Sequence, residues 1–99
     1  MRRNHLSILL PLLALCACNS TSFVRVVSVN PPDASVYING VRVGAGDSRP
    51  QKFDFGNNKR VYVQATHPDY QPELEWFDLE KMEHMVDTDT NVKLTLRAR

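Results

Sequence analysis

The sequence predicts an all-β fold, a small antiparallel β-sandwich, over residues 23–99. Three observations predict it. The chain after residue 22 breaks into about six or seven short runs rich in Val, Ile, Tyr and Phe. Turn residues punctuate these runs at intervals of roughly eight to twelve positions. No stretch there carries a sustained helical period, so strands alternating with helices, as in a βαβ chain, are not expected.

Before this region the composition is different. Met1-Arg2-Arg3-Asn4-His5 is basic, and Leu6 to Leu15 is apolar apart from Ser7 and Pro11. A basic start, a short apolar stretch and small residues at its end are the parts of a secretory signal. A transmembrane helix is the competing reading. It needs ~20 apolar residues, about twice what is present, and Pro11 interrupts the run. The leader is therefore assigned to residues 1–17 and is expected to be cleaved.

Leu15-Cys16-Ala17-Cys18 resembles a bacterial lipobox, with a branched apolar residue three before the cysteine and a small residue just before it. The resemblance implies cleavage before Cys18 and acylation of its thiol. Cys16 as lipid site would place bulky Leu15 in the small position, and ordinary cleavage would leave Cys18 as a free thiol. Lipidation leaves no thiol for a disulfide, because Cys16 departs with the leader. An exported domain of this size commonly has such staples; this one must hold by its core. Residues 18–22 are the lipidated cysteine and a polar tether, Asn19-Ser20-Thr21-Ser22, of flexible composition.

Phe23 to Val29 is the first strand, and its adjacent Val26 and Val27 imply two buried faces or a bulge. Asn30-Pro31-Pro32-Asp33 ends it, since proline cannot donate to a ladder. Ser35–Ile38 and Val41–Val43 flank Asn39-Gly40, the strongest short hairpin signal, because both turn residues need positive φ. Gly44 to Pro50 reads as a loop, Lys52–Phe55 as a short strand and Gly56-Asn57-Asn58 as a turn. Arg60–Thr66 alternates, with Val61, Val63 and Ala65 on one face. His67 to Pro72 reads as a proline-bounded turn. In Glu73–Leu79, Leu74 and Trp76 share one face while Phe77 and Leu79 share the other, so a bulge or twist is expected near Trp76-Phe77. Met82, Met85 and Val86 allow one or two helical turns. Asp87 to Asn91 is a polar loop, and Val92–Arg97 alternates and closes the domain.

Residues 31–44, Pro-Pro-Asp-Ala-Ser-Val-Tyr-Ile-Asn-Gly-Val-Arg-Val-Gly, resemble the opening of a PEGA domain. Pro31, Ala34, Val36-Tyr37-Ile38, Asn39-Gly40 and Gly44 fit that family's proline, alanine, strand, Asp/Asn-Gly turn and following glycine. Gly56 ahead of Val61-Tyr62-Val63, and Pro68-Asp69-Tyr70 after it, are similar to the later parts. Pro32-Asp33 stands where the family has Glu-Gly, the usual Thr-Pro after the hairpin is missing, and Glu80 to Asn91 is longer than the family's turn. The resemblance covers about residues 24–97. It implies a non-catalytic envelope module of β-sandwich fold that binds proteins or envelope components.

The remaining chemistry is sparse. A formal net charge of +1 gives no reason to expect nucleic acid or an acidic polymer as partner. Asp87-x-Asp89-x-Asn91 opens like a calcium loop, but Val92 and Ala98 hold the positions of its glycine and bidentate glutamate. His67 and His84 are the histidines after the leader, too few for a zinc site, so no metal and no cofactor are expected. No serine lies in a nucleophile-elbow context, Glu73 and Glu75 read as a solvated face, and a hydrolase is disfavoured. A domain this small leaves little room for a deep pocket. Trp76 and Phe77, with Tyr37, Tyr62 and Tyr70, are aromatics of which some must face outward in a sandwich, and Tyr70, Trp76, Met82 and Met85 are the candidate interaction residues, although the core is the preferred place for Trp76.

The expected function is that of a lipid-anchored, periplasm-facing envelope module, at the outer membrane rather than the inner because Asn19 replaces the retaining Asp after the cysteine. Its expected partners are the membrane, through lipid, and an envelope protein or cell-wall component. A small periplasmic enzyme inhibitor is the alternative, with Gly44–Pro50 or Glu80–Asn91 as its protruding loop. Cys18→Ser should leave an uncleaved or soluble protein. Fractionation reads this directly, and a fully processed variant still on membranes would remove the anchor.

Overall fold

The computed structural model describes residues 21–99. The expected leader, Cys18 and residues 19–20 of the expected tether lie outside the described residues. Among the described residues, eight strands and one helix follow in the order β1 (Ser22–Asn30), β2 (Ser35–Ile38), β3 (Val41–Ala45), β4 (Arg49–Asp54), β5 (Arg60–His67), β6 (Tyr70–Asp78), α1 (Leu79–Asp87), β7 (Val92–Thr95) and β8 (Arg97–Ala98). Two sheets face each other across one core: β4-β1-β7, and β3-β2-β5-β6-β8. The fold is the all-β sandwich that the sequence predicts. One pairing departs from antiparallel: β7 runs parallel to β1, with Val27 opposite Val92 and Val29 opposite Leu94.

Alternation explains which side chains enter the core. Val27 and Val29 of β1, Phe53 of β4 and Val92 of β7 are buried from the smaller sheet. Val36, Val61, Val63, Ala65 and Phe77 are buried from the larger one. The Phe53 and Phe77 rings meet edge to face with centroids 5.5 Å apart, a geometry the ring quadrupole favours. Leu96 is buried where the chain leaves β7 and crosses to the larger sheet as β8.

The hairpin turn has the expected geometry. Asn39 and Gly40 have φ of 49° and 84°, as a type I′ turn requires. Asn39 also ties the turn to β5: its Oδ1 accepts the Tyr62 amide at 3.0 Å and its own amide donates to the Tyr62 carbonyl at 3.1 Å.

Several boundaries differ from the sequence reading. The expected loop Gly44–Pro50 shrinks to three residues, because β3 runs through Ala45 and β4 begins at Arg49. A register shift between Val36 and Tyr37 lets β3 continue past its glycine. Pro50 is tolerated because β4 is an edge strand. β5 and β6 likewise extend into the expected turn, leaving Pro68-Asp69 between them, and a register shift at Ala65/His67 absorbs Pro72. The bulge expected at Trp76-Phe77 is absent: Arg60↔Asp78 to Ala65↔Glu73 is continuous. β6 instead ends at Asp78 and Leu79 opens α1, so Leu79 never competes for a strand face. β1 pairs regularly with β4 from Ser22 to Val27, so Val26 and Val27 need no bulge either.

Gly46 joins the two sheets. Its carbonyl accepts the Val29 amide at 2.9 Å, and its amide donates to the Ala34 carbonyl at 3.0 Å. A Cβ there would lie 2.5 Å from Val29 Cβ. Gly46→Ala should therefore cost about 1–3 kcal/mol through overpacking. Gly40→Val should cost a similar ~1–3 kcal/mol by forcing a β-branched residue to positive φ. Urea unfolding of both variants checks this, and unchanged midpoints would contradict the sheet junction and the turn respectively.

Candidate functional site

Period-two alternation that buries Val61, Val63 and Phe77 turns their neighbours outward. Tyr62 and Trp76 are paired across β5 and β6 and form the centre of the outer face of the larger sheet. Their ring centroids are 5.1 Å apart at 59°. The Arg60 guanidinium lies 4.6 Å from the Trp76 ring centroid, a cation–π contact worth ~0.5–1 kcal/mol when exposed. Leu74 continues the face along β6 and is exposed. Tyr37 of β2 and Arg42 of β3 form the next cross-strand pair.

Trp76 is 46% exposed, which corrects the expectation that it anchors the core. Its backbone is nevertheless fixed. Lys81 Nζ donates to the Trp76 carbonyl at 2.8 Å and to Glu75 Oε2 at 2.9 Å, while lying 4.5 Å from the Phe77 ring centroid. Asp78 Oδ1 accepts the Lys81 amide at 2.7 Å and caps α1. The strand-to-helix junction thus holds the indole in place.

The other candidate interaction residues lie elsewhere. Met82 and Met85 are 0% and 8% exposed; α1 turns them into the core at i, i+3 spacing, and a buried thioether presents no surface to a partner. Tyr70 is partly buried against the core at the opposite end of β6, with its ring edge-on to His67 at 5.0 Å. Arg60 is the residue missing from the expected set, whereas Tyr62 is one of the aromatics of which some were expected to face outward. The alternation of Val61 and Val63 carried the signal that Tyr62 faces outward with Trp76's side of the sheet.

The polar residues that invited chemical readings have structural partners. His67 Nδ1 accepts the Asp69 amide at 3.1 Å, which leaves Nε2 as the donor to Asp33 Oδ2 at 3.2 Å. His84 stands exposed on α1, apart from it. Asn91 Oδ1 accepts the Val26 amide and Asp89 pairs with Arg25 at 3.4 Å. Glu73 pairs with Arg97 and Glu75 with Lys81. Arg49 donates to Asp47 at 2.6 Å across the β3–β4 turn; this bond lowers the Asp47 pKa and raises that of Arg49. Among the described residues, no group of three or more His, Cys, Asp or Glu has metal-binding geometry. No described helix is long and apolar enough to cross a membrane.

An open cleft of about 590 Å³ lies beside α1, lined by Glu75, Lys81, Met85, Asp89, Thr90, Asn91, Val92 and Lys93. This is more room than the chain's length led us to expect. Its Glu75 and Lys81 neutralise each other, and Asp89 and Asn91 are engaged by β1.

In comparisons with known proteins, no family model, curated protein or solved structure matches the chain.

Met82→Ala should cost about 2–5 kcal/mol of stability, whereas Trp76→Ala should leave the fold intact within about 1 kcal/mol, chiefly through the lost Tyr62 and Arg60 contacts. Thermal melts of the two variants side by side check the assignment; the reverse order of damage would return Trp76 to the core.

Proposed function

We propose that this chain is a non-catalytic envelope module, lipid-anchored at Cys18, that works by surface contact through the outer face of its larger sheet. The observation that carries the contact is the exposed Trp76, stacked with Tyr62 and Arg60 on a face where nothing within the described residues covers it. Aromatic side chains with an adjacent arginine are characteristic of interaction surfaces. The anchor is supported by the lipobox-like Leu15-Cys16-Ala17-Cys18 after an apolar leader. The PEGA-like series Pro31, Ala34, Val36-Tyr37-Ile38, Asn39-Gly40 and Gly44 supports the assignment to envelope binding modules.

Tethering matters energetically. A module confined to a membrane meets other components of that surface at high effective concentration, so a shallow patch is sufficient. The inhibitor alternative requires a protruding loop. Gly44–Pro50 is mostly strand and Glu80–Asn91 mostly helix with two buried methionines, so neither segment favours that reading.

Cross-linking in intact cells tests the proposal. A photo-reactive residue in place of Gln64 or Leu74 should mark an envelope component, and Trp76→Ala should abolish the cross-link without reducing the amount of folded protein. A cross-link that survives Trp76→Ala, or turnover of a cell-wall substrate by the purified chain, would overturn it.

A further inference from the structure

The Asn39-Gly40 turn is also a reactive pair. An asparagine can be attacked by the backbone nitrogen of the residue that follows it. That nitrogen loses its proton and bonds to the side-chain carbonyl carbon, the carbon–nitrogen bond of the carboxamide breaks, and ammonia leaves. Water then opens the five-membered imide at either carbonyl and gives aspartate or isoaspartate. The reaction needs water and an accessible amide nitrogen, and glycine shields its nitrogen least because it has no Cβ. Among the described residues the asparagines are Asn30, Asn39, Asn57, Asn58 and Asn91, and of these Asn39 alone precedes a glycine. Pro31 after Asn30 has no N–H to lose, and β-branched Val92 crowds the nitrogen after Asn91.

Asn39 and Gly40 are both exposed, yet the fold holds the carboxamide. Its Oδ1 accepts the Tyr62 amide at 3.0 Å, while the Asn39 amide donates to the Tyr62 carbonyl at 3.1 Å. Both residues have positive φ, 49° and 84°, as the two-residue turn requires. Closing the planar imide rotates Asn39 ψ out of the left-handed region and draws the carboxamide carbon onto the Gly40 nitrogen, which takes Oδ1 off the Tyr62 amide. The reaction and the native turn exclude each other.

We propose that Asn39 is a deamidation site gated by the fold: it is silent while the β2–β3 hairpin is bonded to β5 and reactive when the hairpin opens, so isoaspartate at residue 39 records time spent open. The change reaches the outer face of the larger sheet. A Cβ on Gly40 would lie 3.3 Å from the Tyr62 hydroxyl, so the Tyr62 side chain reaches the turn, and the same ring lies against Trp76 with centroids 5.1 Å apart. In isoaspartate the former side-chain methylene joins the main chain and the branch becomes a carboxylate. The lengthened main chain no longer closes a two-residue turn, and Tyr62 loses the acceptor that ties it there. Aspartate, the other product, keeps an acceptor oxygen in place. This site depends on neither the anchor nor the partner of the outer face.

The purified full chain, incubated in mildly alkaline buffer with and without urea, tests this. Peptide mapping follows the gain of one mass unit and the isoaspartyl peptide at residue 39. Deamidation should run roughly tenfold or more slower in the folded chain, a tenfold factor being what each ~1.4 kcal/mol of opening free energy imposes. Met82→Ala, which weakens the core, should deamidate faster than the parent without urea. The chain contains one tryptophan, so its fluorescence reads the outer face. Emission should change as isoaspartate accumulates. Over the same incubation it should stay constant in Asn39→Asp and in Asn39→Gly, whose Gly-Gly turn also takes positive φ.

Equal rates with and without urea, or no isoaspartate at residue 39 in urea, overturns the proposal. Earlier modification of another described asparagine in the folded chain does the same. An unaltered Trp76 emission in the isoaspartyl product, or drift of the Asn39→Gly emission at the parent's rate, removes the link between the turn and the outer face.

Discussion

The Phe53–Phe77 contact is the interaction on which the rest of the structure depends. It joins one sheet to the other at the centre of the core, with both rings almost fully buried. Both cysteines lie at or before residue 18, so no disulfide links the sheets and the apolar core must do so. Met82 covers the same core from α1, and its unbranched side chain suits an irregular gap between a strand pair and a helix. Phe77 also decides the site: with its ring inward, alternation places Trp76 outward.

Positioning of the outer face follows from the polar groups at the junction of β6 and α1. Asp78 ends the strand and caps the helix, and the capped helix delivers Lys81 to the Trp76 carbonyl. A side chain that looks like an ordinary surface lysine therefore orders the backbone beneath the aromatic pair. The single charges involved are exposed and worth little individually; their effect is geometric.

The alternating runs and the Asn39-Gly40 turn made the sandwich legible because each is a local property, settled by a few adjacent residues. Burial of Trp76 was not local. Leu74, Trp76, Phe77 and Leu79 pose a conflict of faces if all must be buried from one strand; the helix takes Leu79, and the sheet buries Phe77 and leaves Leu74 and Trp76 exposed. The Gly44-Ala45 and Gln71-Pro72 stretches carry turn residues that register shifts absorb into strands. The parallel β1–β7 pair joins residues about 65 apart and left no local trace. Cys18 was legible only as sequence chemistry.

β1 occupies the middle of its sheet, bonded to β4 on one side and β7 on the other, and it is the strand that would follow the proposed tether. Tension applied through the N-terminal end would run along the strand axis, across ladders whose hydrogen bonds lie roughly perpendicular to it. The β4 bonds along Ser22–Val27, and behind them the β7 bonds along Val27–Asn30, would be loaded in shear instead of being opened one at a time, as at a peeling edge. A lipid attachment at this point would load the domain through its most resistant element, and resistance to pulling would exceed what the small core implies for equilibrium stability.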